Sequence, residues 1–326
     1  MHIKKYLAIA CLIVFLSNTT TFAINSQSET NKPLVVTTTS VLASIVRDLA
    51  GNLVNVKYIV SPSMCPGHYD IKPGDVETIR NASLILAHGM EWSSWLGELI
   101  DSANQTGDLD VPIYNVAGPW NTPTYLAQKY SEIAEILETE LGLDLEDRLS
   151  VCLNAINNVE TELISLGNEY GFNETPVAVM QWQSAFIEFL GFKIVATYGP
   201  PELLSTEDQL EVMNNITEFG AKLIIDNLQS GVSFGEKVAK ETGIVQVVLI
   251  NFPEAVPGVS NVTEMMLYNA KSLAKGLEHY EFIVENNVLK SEVKIWQYVS
   301  TGLVIVIAIE SLVVVSLVKR REQPGS

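Results

Sequence analysis

The sequence predicts an α/β protein with two Rossmann-like lobes, each built on a parallel sheet, joined by a long rigid helix and separated by a ligand cleft. The first observation is that short, apolar, β-branched runs alternate with amphipathic helical stretches along most of the chain. The second is that these runs end in polar or turn residues, as in "TTTS", "AHGMEW" and "NFPEAVPG". Apolar runs separated by helices are typical of parallel sheets covered on both faces.

The runs divide into two groups of four, which predict an N-terminal lobe over 33–144 and a C-terminal lobe over 175–285. Between them, apolar residues recur at helical spacing over 145–170, and no Gly- or Pro-rich linker interrupts them. This pattern predicts the stiff linking helix. The predicted strand runs are 33–39, 54–61, 83–89 and 111–118 in the first lobe, and 176–183, 192–199, 221–229 and 245–252 in the second.

Both chain ends carry membrane-related signals. Residues 1–23 read as a secretory signal peptide, with lysines before a short apolar run and a small-residue cleavage site. Residues 299–318 form an apolar stretch with one charge, Glu310, and three basic residues follow at once. A span of this length with a basic stop predicts a transmembrane helix and a cytoplasmic tail, 319–326. Residues 286–298 then form a juxtamembrane stalk, and the main body is extracellular.

The net charge and the glycosylation sequons of the chain limit its possible partners and its location. The formal net charge is −18, which argues against nucleic acid as a partner. Five N-x-S/T sequons are consistent with an exported glycoprotein. They lie at Asn81, Asn104, Asn173, Asn215 and Asn261.

The carboxyl ends of parallel strands are where such folds bind ligands, so the loops after the predicted strands are expected to line the cleft. One of them, "SPSMCPGHYDIKPGD", places Cys65 and His68 three residues apart in a loop stiffened by prolines. A thiolate and an imidazole so placed suit a soft or borderline cation. His88 and Asp226 are further candidate metal ligands. Other candidate cleft residues are Glu91, Trp92, Trp182, Glu202, Asn227 and Gln229.

Alternatives stay open at several of these positions. His68 is either a metal ligand or an ordinary loop histidine. Cys65 is a ligand, a disulfide partner of Cys152, or an inert thiol. An enzyme is not expected, because the sequence has no G-x-S-x-G elbow, no phosphate loop and no G-x-G-x-x-G motif.

The order of motifs resembles a known family over roughly residues 34–285. The resemblance rests on the block from "VVTTTSVLAS" to "AHGMEWSSWL", then on "WNTP", "QSAF", "KETG" and "TEMMLYNAKSLAKGL". These motifs resemble the substrate-binding proteins of ABC importers for zinc, manganese and iron, of the zinc-uptake component A type. The resemblance implies two lobes bridged by a rigid helix, with a metal ion held between them by three histidines and a carboxylate.

The resemblance places one histidine of that set at His68. The other positions have changed: Gly118 and Gln183 stand where histidines are expected, and Asn251 stands where the carboxylate is expected. Two outcomes follow. Cys65, His88 or Asp226 rebuild a metal site, with Gln183 and Asn251 as secondary donors. Alternatively, the cleft takes a metal chelate or small organic solute, held by amide side chains and stacked on tryptophan. The amides are Gln183, Asn227, Gln229 and Asn251, and the tryptophans are Trp92 and Trp182.

By this resemblance the chain is expected to be an extracellular, membrane-anchored solute-binding protein of an ABC importer. Its expected cargo is a transition-metal ion of the zinc, manganese or iron class. Its expected partners are a permease and the ATPase of the same importer. An adhesin or surface scaffold that has lost the binding site is the alternative from another class.

Overall fold

The computed structural model describes residues 32–105, 107 and 109–321. The predicted signal peptide therefore lies outside the described residues, as do residues 322–326 of the predicted tail.

The first lobe is a four-stranded parallel sheet in the order β2-β1-β3-β4. The central strands β1 and β3 are almost wholly buried, whereas the edge strand β2 is partly exposed. This agrees with the apolar runs "LVVT" and "LILA" and with the mixed run "NVKY". The strands are β1 Leu34–Thr37, β2 Asn55–Tyr58, β3 Leu84–Ala87 and β4 Ile113–Asn115, and the helices are α1 Ser40–Ala50, α2 Pro73–Arg80, α3 Leu96–Ala103 and α4 Pro123–Leu141.

The second lobe repeats the topology, with the order β6-β5-β7-β8 and all pairs parallel. Its central strands, β5 and β7, are again the most buried. The strands are β5 Pro176–Met180, β6 Lys193–Tyr198, β7 Leu223–Asn227 and β8 Val245–Leu249, and the helices are α6 Ser184–Phe189, α7 Thr206–Phe219 and α8 Ser233–Thr242. The predicted α/β fold class with two parallel-sheet lobes is confirmed.

One helix, α5 (Glu146–Glu169), joins the lobes. Its buried side chains include Cys152, Ile156 and Leu163, and they belong to an apolar core that also contains Val35 of β1 and Val177 of β5. Because one continuous core includes parts of both sheets and this helix, the two lobes share packing instead of meeting only through a flexible linker.

The last helix, α9 (Val262–Arg321), is continuous through the described residues. Its first turns pack on the second lobe through Met265, Met266 and Leu273, all of which are buried. Beyond Leu277 most large apolar side chains are exposed, and the helix is long and apolar enough to cross a membrane. At 1.5 Å per residue, about 33 Å of helix lies between Leu277 and the start of the predicted span.

Candidate functional site

A cavity of about 360 Å³ lies between the lobes, at the carboxyl ends of both sheets. In each sheet the second strand lies on one side of the first strand and the third strand lies on the other. Ligand crevices form at such switch points. The volume falls in the range of small-molecule sites. The residues that line the cavity are Cys65, Pro66, His88, Met90, Gly118, Pro119, Trp120 and Asn121 from the first lobe, and Gln181, Trp182, Ala185, Asn227, Gln229, Ser230, Asn251 and Phe252 from the second.

Amide side chains form a hydrogen-bonded network at this cavity. Gln183 Nε2 donates to Asn251 Oδ1 at 2.8 Å, and the Asn251 backbone N–H donates to Gln229 Oε1 at 3.1 Å. Gln229 Nε2 donates to the carbonyl oxygen of Pro62 in the first lobe at 2.8 Å. The network therefore links the loop that carries Cys65 to the ends of β7 and β8.

A second set of polar contacts links the lobes at Glu254, which follows β8. Its carboxylate accepts hydrogen bonds from the Arg47 guanidinium and, at 3.0 Å, from the Tyr58 hydroxyl. The hydroxyl of Ser40 donates to the carbonyl of Pro253 at 2.7 Å. Among the described residues other than glycine, Glu254 is also the one with a left-handed backbone, at φ 67°. These contacts fix the first lobe against the loop that contains Asn251.

His88 lies at the cavity wall, directly after β3. Its backbone N–H donates to Thr38 Oγ1, and its ring meets the Trp120 ring edge-on at a centroid distance of 4.2 Å. Burial lowers the pKa of the imidazole to about 3, so the ring is neutral near pH 7. Its Nδ1 atom is buried and has no hydrogen-bond partner among the described residues. A neutral imidazole with a free nitrogen can coordinate a metal or hydrogen-bond a ligand.

Cys65 also lines the cavity, and its thiol is partly accessible. The alternative of a Cys65–Cys152 disulfide is wrong, because the structure leaves both residues as free cysteines. Cys152 lies on α5, where its Sγ donates to the carbonyl oxygen of Asp48 at 3.7 Å. Cys65 therefore stays available as a ligand.

Asp226 does not line the cavity, in contrast to the expectation that it could serve the metal site. Its buried carboxylate accepts hydrogen bonds from Tyr198 at 2.7 Å, from Gln246 at 2.6 Å and from the backbone N–H of Gly235. Burial raises its pKa to about 6, although these hydrogen bonds lower it in part. The carboxylate thus has a structural role inside the second lobe, where β6, β7 and α8 meet.

Five other expected residues lie away from the cavity wall. Gln183 is fully buried and reaches the site only through its hydrogen bond to Asn251. His68 is exposed at the end of a 3₁₀ turn, Pro66–His68, so only Cys65 of that loop pair reaches the cavity. Glu202 and Trp92 are exposed on the surface. Glu91 is fully buried and accepts a hydrogen bond from the Gly89 backbone N–H at 2.8 Å. Spacing in the sequence could not foresee these orientations, because each depends on a short turn after the strand.

Several residues that line the cavity were not among the candidates from the sequence, and Trp120, Asn121 and Phe252 are three of them. Each follows the last strand of its sheet, as "GPWN" after β4 and "NF" after β8. Their position after a strand was the available signal. Among the described residues, no three side chains of His, Cys, Asp or Glu are grouped closely enough to hold a metal ion together.

Comparison with known proteins agrees with this architecture. Residues 35–134 match the family described as zinc-uptake complex component A, periplasmic. The zinc-binding protein TroA of Treponema pallidum is 40% identical over 68 residues, which is 21% of this chain and 22% of TroA. The manganese ABC transporter substrate-binding lipoprotein PsaA of Streptococcus pneumoniae is 32% identical over 90 residues, or 26% of this chain and 29% of PsaA. The matched segments thus cover less than a third of either relative.

Solved structures extend the similarity to the whole body. TroA has a TM-score of 0.63 at 18% identity, and the match covers 76% of this chain and 99% of TroA. The Mn-bound periplasmic metal-binding protein of Candidatus Liberibacter asiaticus has a TM-score of 0.62 at 17% identity, with 76% and 100% covered. The chain therefore resembles the zinc-uptake component A family, by sequence over residues 35–134 and by fold over both lobes.

Proposed function

We propose that this chain is the solute-capturing subunit of an ABC importer of the zinc, manganese and iron class. The observation that carries the proposal is the cavity between two lobes whose fold is that of periplasmic metal-binding proteins. The solute would be bound at the carboxyl ends of both sheets and passed to a permease served by an ATPase. The proposal involves no catalytic step.

The topology supports delivery at a membrane surface. The relative PsaA is named a substrate-binding lipoprotein, and lipid would anchor such a protein. Here the exposed, apolar part of α9 would serve that purpose, with the body outside the cell. Because α9 begins within the second lobe and continues without a break, it would hold the body above the permease on a stiff connection.

Cys65, His88 and Asn251 are the residues at the cavity that could contact the metal of the cargo. Sulfur and imidazole nitrogen suit zinc and iron, and the amide oxygen of Asn251 is a weaker donor. The charge-free lining also favours a second candidate within this class, in which the metal arrives as a complex or the solute is organic.

The test combines elemental analysis with native mass spectrometry on the full-length chain, purified from cells grown in trace-metal medium. We expect one equivalent of zinc, manganese or iron, either alone or with an organic mass, and its loss in the Cys65→Ala/His88→Ala double variant. His279→Ala is the matched control, because His279 is exposed on α9.

Importer function is tested separately by uptake in the native cells. Deletion of the chain should lower accumulation of one of these metals, and the intact chain should restore it. Unchanged uptake, together with no bound metal or organic mass, would overturn the proposal in favour of a surface scaffold.

A further inference from the structure

The wall of the cleft cavity carries no fixed charge. Among the described residues that line it, none is Asp, Glu, Lys or Arg. An ion that enters such a site loses its hydration and gains no countercharge, which is unfavourable. The wall therefore selects against a solute with net charge.

Two residues that line the cavity also carry a buried polar atom that lacks a hydrogen-bond partner among the described residues. Asn121 Oδ1 and Asn227 Nδ2 are both buried and unpaired. The orientation of each amide follows from its other bond. Asn121 Nδ2 donates to the carbonyl oxygen of Trp182, which can only accept, so its oxygen is the free atom. Asn227 Oδ1 accepts from the Ser230 backbone N–H, so its nitrogen is the free atom.

These two unpaired atoms need opposite kinds of hydrogen-bond partner. The Asn121 oxygen needs a donor from the ligand, and the Asn227 nitrogen needs an acceptor. A buried polar group without a partner is destabilising, so a ligand that pairs with both atoms is favoured over one that pairs with neither. Both residues are at least nine-tenths buried, with exposed fractions of 7% and 1%.

Aromatic rings supply the rest of the surface. Trp182 exposes 46% of its area, and Trp120 and Phe252 line the cavity beside it. Trp120 is already in edge contact with His88, whereas Trp182 offers a large ring surface on the second lobe. Flat apolar groups stack on such rings at offset geometries.

We infer that the cleft binds a small neutral solute with a flat apolar body that carries at least one hydrogen-bond donor and one acceptor. This ligand class rests on the solute-binding role proposed above. A bare dication fits poorly, since the wall offers no carboxylate and the cavity, at about 360 Å³, is much larger than a single ion. The same chemistry has two sources: a metal-free organic molecule, or a neutral complex whose metal meets the free Nδ1 of His88.

A matched probe set separates charge from shape. Benzamide is neutral and has both a donor and an acceptor, whereas benzoate and benzylammonium keep the ring and add a negative or a positive charge. The full-length chain in phosphatidylcholine nanodiscs is titrated with each probe, followed by the change in tryptophan fluorescence, with empty nanodiscs as the blank. Benzamide should bind at least tenfold more tightly than either charged probe.

The two sources are distinguished with zinc. Zinc chloride, 8-hydroxyquinoline and their neutral two-to-one complex are titrated in the same way. Tighter binding of the complex, reduced at least tenfold by His88→Gln, identifies a metal-bearing solute. Binding of benzamide and 8-hydroxyquinoline with no gain from zinc identifies a metal-free solute.

Asn227→Asp tests the hydrogen-bond assignment. The aspartate keeps an oxygen for the Ser230 N–H but replaces the free nitrogen with a charged oxygen. It should weaken benzamide at least tenfold and strengthen benzylammonium. Asn287→Asp, on the exposed part of α9, makes the same change away from the cavity and should alter neither. Trp182→Ala is the second variant, since a half-exposed side chain is removable without loss of the fold, and it should weaken every aromatic probe.

Three results would overturn the ligand class: preference for a charged probe, tight binding of zinc chloride that benzamide does not displace, or no binding of any neutral probe. The first two leave the importer role intact, because they only change the solute. Conversely, benzamide selectivity with unchanged metal uptake on deletion would refute the importer role while the ligand class stands.

Discussion

Gln183 and Asn251 bond to each other across the cleft end of the second lobe, with Gln183 Nε2 donating to Asn251 Oδ1 at 2.8 Å. These are the positions at which the family resemblance expects a histidine and a carboxylate. This hydrogen bond pairs one polar atom of each side-chain amide. Gln183 Oε1 is buried and has no hydrogen-bond partner among the described residues. The pair is therefore neutral where a metal site would need a strong donor and a negative charge.

Restoring that chemistry should create a strong zinc site. In the double variant Gln183→His/Asn251→Asp, an imidazole and a carboxylate would lie next to each other, with the carboxylate in the cavity wall that also contains Cys65 and His88. Zinc prefers such nitrogen, sulfur and oxygen donors over amides. Isothermal titration of the full-length chain with zinc chloride should show affinity at least tenfold above that of the natural chain.

The control places the same changes on the exposed part of α9, as Gln297→His/Asn287→Asp. This variant should bind zinc no better than the natural chain. If the cleft variant gives the same affinity as the control, then the two positions do not form part of a common ligand shell, and the correspondence with the family is wrong there.

The buried histidine predicts a pH dependence of stability. The pKa of His88 falls from an ordinary 6.5 to about 3 in the fold. Between these values the unfolded chain binds a proton that the folded chain does not, so acidification favours unfolding by up to about 1.4 kcal/mol per pH unit. Asp226 acts in the opposite sense between about pH 4 and 6, because its raised pKa keeps the folded carboxyl protonated.

Comparison with His88→Gln isolates the histidine, because Asp226 is present in both proteins. The free energy of unfolding of the natural chain, minus that of the variant, should decrease as pH falls from 6.5 to 4. Urea denaturation at several pH values measures this difference, and His279→Gln should give none, since His279 is exposed. A constant difference for His88→Gln would show that the folded His88 takes up a proton as easily as the unfolded one.

The fold could be predicted from the sequence because hydrophobic periodicity is set by burial. The runs "LVVT" and "LILA" are apolar at every position because β1 and β3 are covered on both faces. The site could be predicted only in part. The position after a strand brought Cys65, His88 and Asn251 to the cavity, but it could not tell His68 from Cys65. Which of the two faces the cavity depends on the 3₁₀ turn between them, which periodicity does not encode.

Substitutions at Glu254 can separate the cost of its left-handed backbone from the stabilisation by its side-chain hydrogen bonds. Its carboxylate holds Arg47 and Tyr58 of the first lobe, and its φ of 67° disfavours any residue with a Cβ atom. Glu254→Ala loses the bonds and keeps the strain, whereas Glu254→Gly loses the bonds and relieves it. By urea denaturation, the glycine variant should be more stable than the alanine variant by about 1 kcal/mol. An equal or lower stability would mean that the backbone is not held left-handed in the folded chain.

Gly235 lies at the third position of α8, beside the buried carboxylate of Asp226. A Cβ atom at Gly235 would overlap Asp226 Oδ2. Hydrogen bonds hold this carboxylate in place, from Gln246 to Oδ2 and from Tyr198 to Oδ1. Gly235→Ala must therefore displace the carboxylate or the helix, and overpacking of this kind costs about 1–3 kcal/mol. Urea denaturation of the full-length chain in detergent measures the loss.

Gly74→Ala provides the control, since Gly74 also lies in the first turn of its helix, α2, and a Cβ atom there meets nothing within 4 Å. It should be neutral, or stabilising by up to about 1 kcal/mol, because alanine is the better helix former. The clash itself is tested by a double-mutant cycle with Asp226→Ser, whose shorter side chain leaves room for the methyl group. In that background Gly235→Ala should cost clearly less than in the natural chain. Additive losses would show that the alanine acts on helix α8 alone and that close contact with the carboxylate does not set the requirement for glycine.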